Sequence, residues 1–299
     1  MGDLVRSALV TGASTGIGRA CVEKFVAEGW QVFASVRKAG DGERLKAEIG
    51  EAVVPLLFDV TDGPAIARAA DELREALMGA TLGALVNNAG IAVAGPLLHL
   101  PIAEMEKQMD VNVTGQLRVV QAFAPMLGAD RSFTGAPGRI VNISSVAGFS
   151  AAPFVVPYAC SKFALEAFTQ GLRRELAMYG IDVVAINPGP IATPIWDKAE
   201  TVDPEQYAHT DYIRPIRRLV NYMLERGRAG LPPSTVADAV WTAVTAPRPR
   251  LNTIVTPEPF TQWLSGILPG RMTDRIITRR LGLTPDAIAG NGQQGRDNT

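Results

Sequence analysis

The sequence is poor in the two residue types that most often build metal centres, disulfide frameworks and proton-transfer sites. Cysteine occurs only at Cys21 and Cys160, and histidine only at His99 and His209, in 299 residues. Two cysteines this far apart exclude a disulfide framework and a cysteine-based metal site. We therefore predict no bound metal, and any acid–base chemistry has to come from other side chains.

Long apolar runs and an excess of one charge are lacking as well. No apolar run approaches the roughly 18 residues of a membrane-spanning helix. The chain reaches its first predicted strand by Ser7, which leaves no room for a signal peptide. The formal net charge is −1, without the basic character of a nucleic-acid-binding protein. These absences predict a soluble cytoplasmic protein that binds no nucleic acid.

What the chain does contain is a regular alternation of short apolar runs with longer helical segments. Runs rich in valine, isoleucine and alanine lie at 7–12, 30–36, 52–60, 83–90, 138–144, 181–189 and 252–256. They lack strict polar–apolar alternation, which is typical of strands buried on both faces of a parallel sheet. Helical periodicity fills intervals between them, including 17–28, 64–78, 104–126 and 158–179. This pattern predicts an α/β fold with a doubly wound parallel sheet.

The segment TGASTGIG, residues 11–18 and here called the glycine loop, follows the first predicted strand directly and opens the first predicted helix. Its three glycines leave backbone N–H groups uncovered at a helix N-terminus, which suits a pyrophosphate. A tight strand-to-helix turn without a ligand is the alternative. Asp59, at the end of the third predicted strand, either accepts a hydrogen bond from an adenine amino group or caps the next helix.

Tyr158 and Lys162 lie four residues apart in a segment of helical period, so their side chains face the same way. The ordinary pKa values of these groups are about 10 and about 10.4, and moving a phenol to about 7 takes about 4 kcal/mol. Two charges roughly 4 Å apart supply about that much at an effective dielectric constant near 20. We therefore expect Lys162 to lower the pKa of Tyr158, so that the phenol transfers protons in place of a histidine.

Six segments occur in the order seen in one enzyme family: TGASTGIG, NNAG, VNVTG, NISSVAG, YACSK and NPGPIAT. Over roughly residues 5–195 the chain resembles the short-chain dehydrogenases/reductases. The segments SVRK, SKFALEAF and LRRELAMYGIDV are most similar to the branch of 17β-hydroxysteroid and retinol dehydrogenases. The resemblance implies a Rossmann-type fold in three α/β/α layers, and hydride transfer with NAD(P). A departure is Cys160, where the family commonly has alanine.

The resemblance also implies a role for each member of a catalytic set. Tyr158 exchanges a proton with the substrate oxygen, and Lys162 supports it. Ser145 hydrogen-bonds the same oxygen, with Ser144 as its competitor at the neighbouring position. Asn112 helps to hold a water that links Lys162 to solvent, whereas in the alternative it is a solvent-facing residue of a long helix.

The cofactor is expected along the carboxyl ends of the strands, where the resemblance places Thr193 against the nicotinamide carboxamide. The predicted contacts are Gly12, Ser14, Thr15, Gly16, Ile17, Gly18, Arg37, Asp59, Val60, Asn88, Ala89, Gly90, Tyr158, Lys162, Pro188, Gly189, Ile191 and Thr193.

The end of the second predicted strand indicates which cofactor is preferred. An NAD site normally has a carboxylate there, but the chain has Arg37, and Asp41 follows only in a glycine-flanked loop. Arg37 offers a bidentate donor to a 2′-phosphate, and Ser35 offers a neutral hydrogen bond. Against this, Thr15 stands where many NADP-preferring relatives carry a basic residue. The pattern predicts NADP(H) as the preferred cofactor, with NAD(H) as the alternative.

Three segments, 91–97, 148–157 and 190–230, are expected to line the substrate pocket. They are largely apolar, which favours a hydrophobic secondary alcohol or ketone of steroid-, retinoid- or alicyclic-like type. Because the last segment also contains arginines, a charged sugar or acid remains an alternative substrate. The alternatives are a 3-ketoacyl reductase and a non-catalytic dinucleotide-binding sensor. The predicted pocket residues are Val93, Ser145, Phe149, Phe154, Val155, Tyr158, Ile195 and Trp196.

No linker divides the chain, so we expect one domain over 1–288. It comprises a substrate lid at 190–230 and a C-terminal helical extension at 257–282, and a disordered tail follows at 289–299. The family resemblance implies a homodimer or homotetramer. In the extension, apolar residues next to arginines at 260–281 favour either peripheral membrane contact or packing on the core.

Overall fold

The computed structural model describes residues 6–193, 204–259 and 268–286. Seven strands form one sheet in which all neighbouring pairs are parallel, in the order β3-β2-β1-β4-β5-β6-β7. This architecture confirms the predicted doubly wound sheet. In chain order the strands are β1 (Ser7–Val10), β2 (Gln31–Val36), β3 (Val53–Leu57), β4 (Ala84–Asn87), β5 (Arg139–Ile143), β6 (Asp182–Pro188) and β7 (Asn252–Val255).

Helices connect the strands and cover both faces of the sheet. Within the described ranges no helix has both the length and the apolar composition needed to span a bilayer. In chain order the α-helices are α1 (Gly16–Ala27), α2 (Ala39–Ile49), α3 (Gly63–Leu77), α4 (Ile102–Met109), α5 (Gly115–Phe123), α6 (Val156–Leu176), α7 (Ile213–Arg228), α8 (Pro233–Thr245) and α9 (Gly270–Leu281).

Successive side chains of the central strands enter two separate apolar cores, whereas the edge strand β7 contributes Val255 to one of them. In β1, Ala8 and Val10 join a core with residues of α1, α2 and α8. Leu9, between them, joins a second core with residues of α3 and α5, against which apolar residues of α6 pack. Because successive residues of a strand point to opposite faces, this arrangement produces three layers, as expected for strands without polar alternation.

The second helix corrects one prediction. Asp41 lies in the first turn of α2 and not in a loop, and its carboxylate pairs with Arg44 at 2.9 Å. The flanking glycines indicated a loop because glycine is a poor helix former. In the fold, however, Gly42 is a contact with β3, since a Cβ there would lie 2.7 Å from Cβ of Pro55. Tertiary packing therefore explains this glycine.

The predicted long helix at 104–126 is interrupted. Five residues of π-helix, Asp110–Thr114, separate α4 from α5, and a 3₁₀ turn, Ala124–Leu127, follows α5. Asn112 lies in the π-helical turn and is 1% exposed, so it is not a solvent-facing helix residue. Single π-helical turns of this kind occur frequently at functional sites.

A third, smaller core joins the loop before α6 to the C-terminal part of the chain. Phe154 packs there with Ile216 and Leu219 of α7 and with Leu281 of α9. Its ring also meets Tyr212 edge-on, with 5.7 Å between ring centroids. Phe154 has a φ of 66°, a left-handed conformation that is strained for a bulky residue. The surrounding core compensates for that strain and fastens the loop to α7 and α9.

Candidate active site

The glycine loop connects the end of β1 to the N-terminus of α1. Gly12 and Gly16 have φ values of 63° and 57°, and a Cβ on Gly18 would lie 2.3 Å from the carbonyl oxygen of Gly12. Thr15 is the N-cap of α1, but its side chain makes no capping hydrogen bond and the first turn carries no acidic residue. This helix terminus therefore fits a phosphate group.

Residues that follow β4 brace the glycine loop. Asn88 donates from Nδ2 to the carbonyl oxygens of Thr11 at 2.9 Å and Gly12 at 3.1 Å. In return, Thr11 Oγ1 accepts from the backbone N–H groups of Asn88 at 2.9 Å and Ala89 at 3.0 Å. The loop is thus held from a neighbouring strand before any ligand binds. The other predicted cofactor contacts in this region are Ser14, Ile17 and Gly90.

A cavity of about 520 Å³ lies beyond the ends of β2 and β3. It includes the predicted cofactor contacts Arg37 and Asp59, with 4.0 Å between Nη1 of the arginine and Oδ2 of the aspartate. It also includes Lys107, which the sequence did not single out. Its lining residues are Arg37, Asp59, Thr61, Ile91, Glu106, Lys107, Asp110 and Val111.

The structure excludes one of the two interpretations of Asp59. Helix α3 is capped by Asp62, whose carboxylate accepts from Ala65 N at 3.0 Å, so Asp59 is not the cap. Asp59 Oδ1 accepts from the backbone N–H and the hydroxyl of Thr61, at 3.0 and 2.8 Å. The predicted contact Val60 is buried, and its Cγ2 would lie 2.8 Å from a Cβ on Gly115.

Ser35 does not act as predicted. Its side chain is 2% exposed, and its hydroxyl is directed to the carbonyl oxygen of Phe58 at 3.5 Å. Ser35 lies within β2, where every residue from Val32 to Val36 is buried, so its side chain faces the protein interior. Arg37, two residues later, keeps 69% of its side-chain surface exposed. Of Ser35 and Arg37, the arginine is therefore the one placed to meet a ligand at this strand end.

The fold brings Ser145, Tyr158 and Lys162 together at the carboxyl ends of β5 and β6. The side chains of Ser145 and Tyr158 lie within hydrogen-bonding reach of each other, and Ser145 Oγ donates to the carbonyl oxygen of Pro188 at 3.4 Å. Lys162 Nζ donates to the carbonyl oxygen of Ile143 at 2.8 Å and lies 5.6 Å from the ring centroid of Tyr158. The competitor Ser144 is 2% exposed and its hydroxyl has no hydrogen-bond partner among the described residues. Ser145, and not Ser144, is therefore the serine that lies next to Tyr158.

Burial is the largest influence on the pKa values of Tyr158 and Lys162. It raises the pKa of Tyr158, and the hydrogen bond with Ser145 only partly offsets that effect. Burial likewise lowers the pKa of Lys162 to about 8, against the charge of Glu166. The expectation that Lys162 by itself lowers the pKa of Tyr158 is therefore wrong for the chain without cofactor. The reason is the burial of the phenol, which disfavours the charged phenolate and is the larger of the effects on the pKa of Tyr158.

Asn112 fastens the segment after β4 to α6. Its Nδ2 donates to the carbonyl oxygen of Ile91 and to Ser161 Oγ, both at 3.0 Å, and its Oδ1 accepts from Ile91 N at 2.9 Å. Ser161 Oγ in turn donates to the backbone oxygen of Tyr158 at 2.7 Å. The side chain of Asn112 thus positions the backbone around the tyrosine.

Gln108 is a polar residue of this site that sequence reasoning missed. It is fully buried, donates to Ile91 O at 2.9 Å and to Ser161 Oγ at 3.2 Å, and accepts from Val93 N at 2.7 Å. The only signal in the sequence is its position four residues before Asn112, on the same side of the helix. The two amides together hold the predicted pocket segment that contains Val93.

The end of β6 and the segment that follows it are bonded to two other parts of the chain. Gly189 donates its backbone N–H to Val255 at 2.8 Å, and Ile191 forms an isolated parallel bridge with Leu231. These bonds connect the segment to β7 and to the stretch between α7 and α8. The predicted contacts Pro188 and Thr193 lie on this segment, whereas the predicted pocket residues Ile195 and Trp196 lie outside the described residues.

The remaining predicted pocket residues follow β5. Phe149 is 44% exposed and Val155 is partly buried. Phe154 is 6% exposed and packs in the third core, so its ring supports the loop. His99 and His209 are exposed and meet edge-on at 6.0 Å between ring centroids.

Comparisons with known proteins agree with this geometry. The chain matches the family model described as short chain dehydrogenase over residues 6–203. It is 39% identical over 278 residues to the NADPH-dependent 3-dehydrocapnine reductase of Ornithobacterium rhinotracheale, covering 93% of this chain and 98% of that protein. It is 32% identical over 298 residues to retinol dehydrogenase 8 of Homo sapiens, covering 92% and 91%. Among solved structures, the closed form of serine dehydrogenase complexed with NADP+ aligns with a TM-score of 0.71 and 25% identity, covering 84% of this chain and 94% of that chain.

Proposed function

We propose, from the premise that the chain belongs to the short-chain dehydrogenase/reductase family and is an NAD(P)-dependent oxidoreductase, that it interconverts a hydrophobic ketone and its secondary alcohol. The observation that carries this proposal is the meeting of Ser145, Tyr158 and Lys162 at the same edge of the sheet as a glycine loop that fits a phosphate. A non-catalytic dinucleotide-binding sensor would not need these proton-transfer residues, so their presence favours an enzyme.

The nicotinamide supplies or accepts the hydride when it is bound, and the chain handles the proton. In the reductive direction the hydroxyl of Tyr158 gives its proton to the carbonyl oxygen as the alcohol forms. Ser145 holds that oxygen beside the phenol. The ammonium of Lys162 stabilises the phenolate that is left, and the positive charge of the oxidised nicotinamide acts in the same sense. In the oxidative direction the phenolate of Tyr158 accepts the proton from the alcohol, and Ser145 and Lys162 keep the same roles.

The pH dependence follows from the lysine. The pKa of Lys162 is lowered to about 8, so the ammonium is present below that pH and is lost above it. Because the pKa of Tyr158 is raised, the phenol keeps its proton over the same range. We expect kcat/KM for ketone reduction to fall above about pH 8. Rates measured at constant ionic strength, with thermal unfolding recorded at each pH, check this, and a flat profile up to pH 10 would contradict it.

For the cofactor we propose a preference for NADP(H). Arg37 is exposed beside the cavity at the end of β2. Asp41, the carboxylate nearest to Arg37 in the sequence after β2, is paired with Arg44. A relative at 39% identity is named as NADPH-dependent, and a structural neighbour is complexed with NADP+. Charge-assisted, bidentate recognition of a 2′-phosphate explains such a preference.

Changing Arg37 to Ser is expected to lower kcat/KM for NADPH by about 10- to 100-fold, the equivalent of about 1.5–3 kcal/mol for hydrogen bonds to a charged group. The value for NADH should change less than about threefold, since that cofactor has no 2′-phosphate. Arg68→Ser is the matched control, because it removes an exposed arginine of α3 that lies outside the cavity lining. Equal losses with both cofactors would overturn the preference.

For the substrate we propose a bulky, apolar alcohol or ketone. The predicted pocket segments are tied together by a hydrogen bond from Gly95 N to Phe154 O at 2.7 Å. Large apolar side chains remain exposed nearby, with Leu98 at 79% and Phe149 at 44%. The similarity to a retinol dehydrogenase favours the same class. Purified protein should be assayed with a panel of steroid, retinoid, alicyclic and 3-ketoacyl compounds and both cofactors. Activity confined to acyl-carrier substrates would support a 3-ketoacyl reductase instead.

We also propose a homodimer or homotetramer, and packing of α9 on the lid helix α7. Leu117 of α5 and Phe163 of α6 are 39% and 44% exposed. The guanidinium of Arg280 lies 4.5 Å from the ring centroid of Tyr222 on α7.

The two proposals are tested separately. For the oligomer, light scattering at micromolar concentration should give a multiple of the chain mass, and a monomeric mass counts against it. Co-flotation with anionic vesicles at low salt would favour the membrane contact of residues 260–281 instead.

A further inference from the structure

A buried carboxylate lies one helical turn beyond Lys162 and has no part in the proton transfer described above. Glu166 is 5% exposed. Its Oε1 accepts from Asn187 Nδ2 of β6 at 2.5 Å, while Oε2 has no hydrogen-bond partner among the described residues. A buried, ionised carboxylate is costly unless another charge compensates it. The position of Glu166 on α6 offers one such charge, the ammonium of Lys162.

The chain packs closely around this carboxylate. A Cβ on Gly148 would lie 3.1 Å from Glu166 Cγ, 3.1 Å from the carbonyl oxygen of Lys162 and 3.3 Å from Ser144 Oγ. The turn after β5 therefore rests directly on α6 because residue 148 has no side chain. Any larger residue at this position would push the turn away from both Lys162 and Glu166.

The other polar side chains that reach this part of α6 are neutral. Ser144 and Ser145 come from the end of β5, and Asn187 comes from β6. Gln108 and Asn112 reach α6 through Ser161. Two charged residues near Asn112 are engaged elsewhere, since Asp110 pairs with Arg118 at 2.8 Å and Lys107 with Glu104 at 3.6 Å. Among the described residues, Glu166 is the charged group that raises the pKa of Lys162, against the larger, opposite effect of burial.

We propose that Glu166 is a positioning residue for the proton transfer, a buried carboxylate that keeps Lys162 in its ammonium form next to Tyr158. The proposal rests on the proposed function for its role in turnover, but the charge of Lys162 can be measured without any substrate. Through Asn187, the same carboxylate also holds the strand end that leads into the predicted nicotinamide contacts. Glu166 thus links the proton-transfer residues to the cofactor segment.

The test compares the titration midpoint of Lys162 in the whole protein with and without the carboxylate. Protein labelled with ¹³C-lysine is titrated by NMR, and the Lys162 signal is identified by its loss in Lys162→Arg. Glu166→Gln keeps the size and the hydrogen bond with Asn187 but removes the charge. The midpoint is expected to fall by about one pH unit or more, as Coulomb attraction across one helical turn implies. Glu175→Gln, at an exposed position of α6, should leave it unchanged.

Two further measurements separate the charge effect from a packing effect and from failure of the proposed function. Glu166→Asp keeps the charge, so its midpoint should stay nearer to the wild-type value than that of Glu166→Gln. In turnover, the alkaline fall in kcat/KM should move to lower pH in Glu166→Gln, with the rate at pH 6 within about threefold of wild type. An unchanged midpoint in Glu166→Gln overturns the proposal. A shifted midpoint in a protein without reductase activity supports the charge pairing and rejects the proposed function.

Discussion

Changing Tyr158 to Phe is expected to lower kcat for ketone reduction by about 100- to 10,000-fold, the range that general acid catalysis contributes. The phenyl ring retains the packing of the tyrosine, and only the hydroxyl that bonds Ser145 is lost. The variant should therefore fold and bind NADPH as the wild type does. Initial rates, thermal unfolding and a fluorescence titration with NADPH measure these three properties separately.

The matched control is Tyr179→Phe, in the 3₁₀ turn that follows α6. It removes the same hydroxyl from the same part of the chain without touching the site, so its rate should match the wild type. If Tyr158→Phe retains more than a tenth of the wild-type kcat on a true substrate, another group donates the proton.

The second large effect is expected for Gly18→Ala, which should weaken NADPH binding by about 100-fold or more. The added Cβ would lie 2.3 Å from the carbonyl oxygen of Gly12 and 2.5 Å from Nδ2 of Asn88. Neither atom belongs to a flexible side-chain end, because Asn88 is held by Thr11 and Gly12. The loop must therefore move, and its N–H groups lose their convergence on a phosphate.

Gly63→Ala serves as the control for this substitution, since a Cβ on Gly63 would meet no atom within 4 Å. Both variants should be compared by dissociation constants for NADPH and by thermal unfolding without cofactor. A cofactor affinity within threefold of wild type in Gly18→Ala would show that the loop tolerates the methyl group and does not hold the phosphate as described.

Predictions from the sequence succeeded where a local pattern is repeated along the chain. The seven apolar runs became the seven strands of one parallel sheet. The central strands are buried from both sides, as in β1, where every residue is buried, whereas the edge strand β7 is only partly buried. Tyr158 and Lys162 are neighbours because both stand on one helix, and Ser145 follows β5. Such features depend on residues that are close in sequence, or on the common edge at which parallel strands end.

Predictions failed where distant residues decide the local structure. The interruption at Asp110–Thr114 accompanies hydrogen bonds of Asn112 to Ile91 and Ser161, and no periodicity within 104–126 reveals those partners. The pKa of Tyr158 was mispredicted for a similar reason, since helical spacing shows the lysine but not the burial of the phenol. Glu166 passed unnoticed because its partner Asn187 lies on another element.

The pairing of β1 with β4 has a consequence for synthesis on the ribosome. Leu9 lies opposite Leu85, so one edge of β1 stays unpaired until β4 has emerged. At about 5–20 residues per second this interval lasts roughly 4–15 s. The glycine loop cannot take its final conformation during this interval either, because Asn88 supplies the hydrogen bond that holds Gly12. A nascent chain that ends before Asn88 therefore has no formed phosphate site, and cofactor can stabilise only chains that are longer.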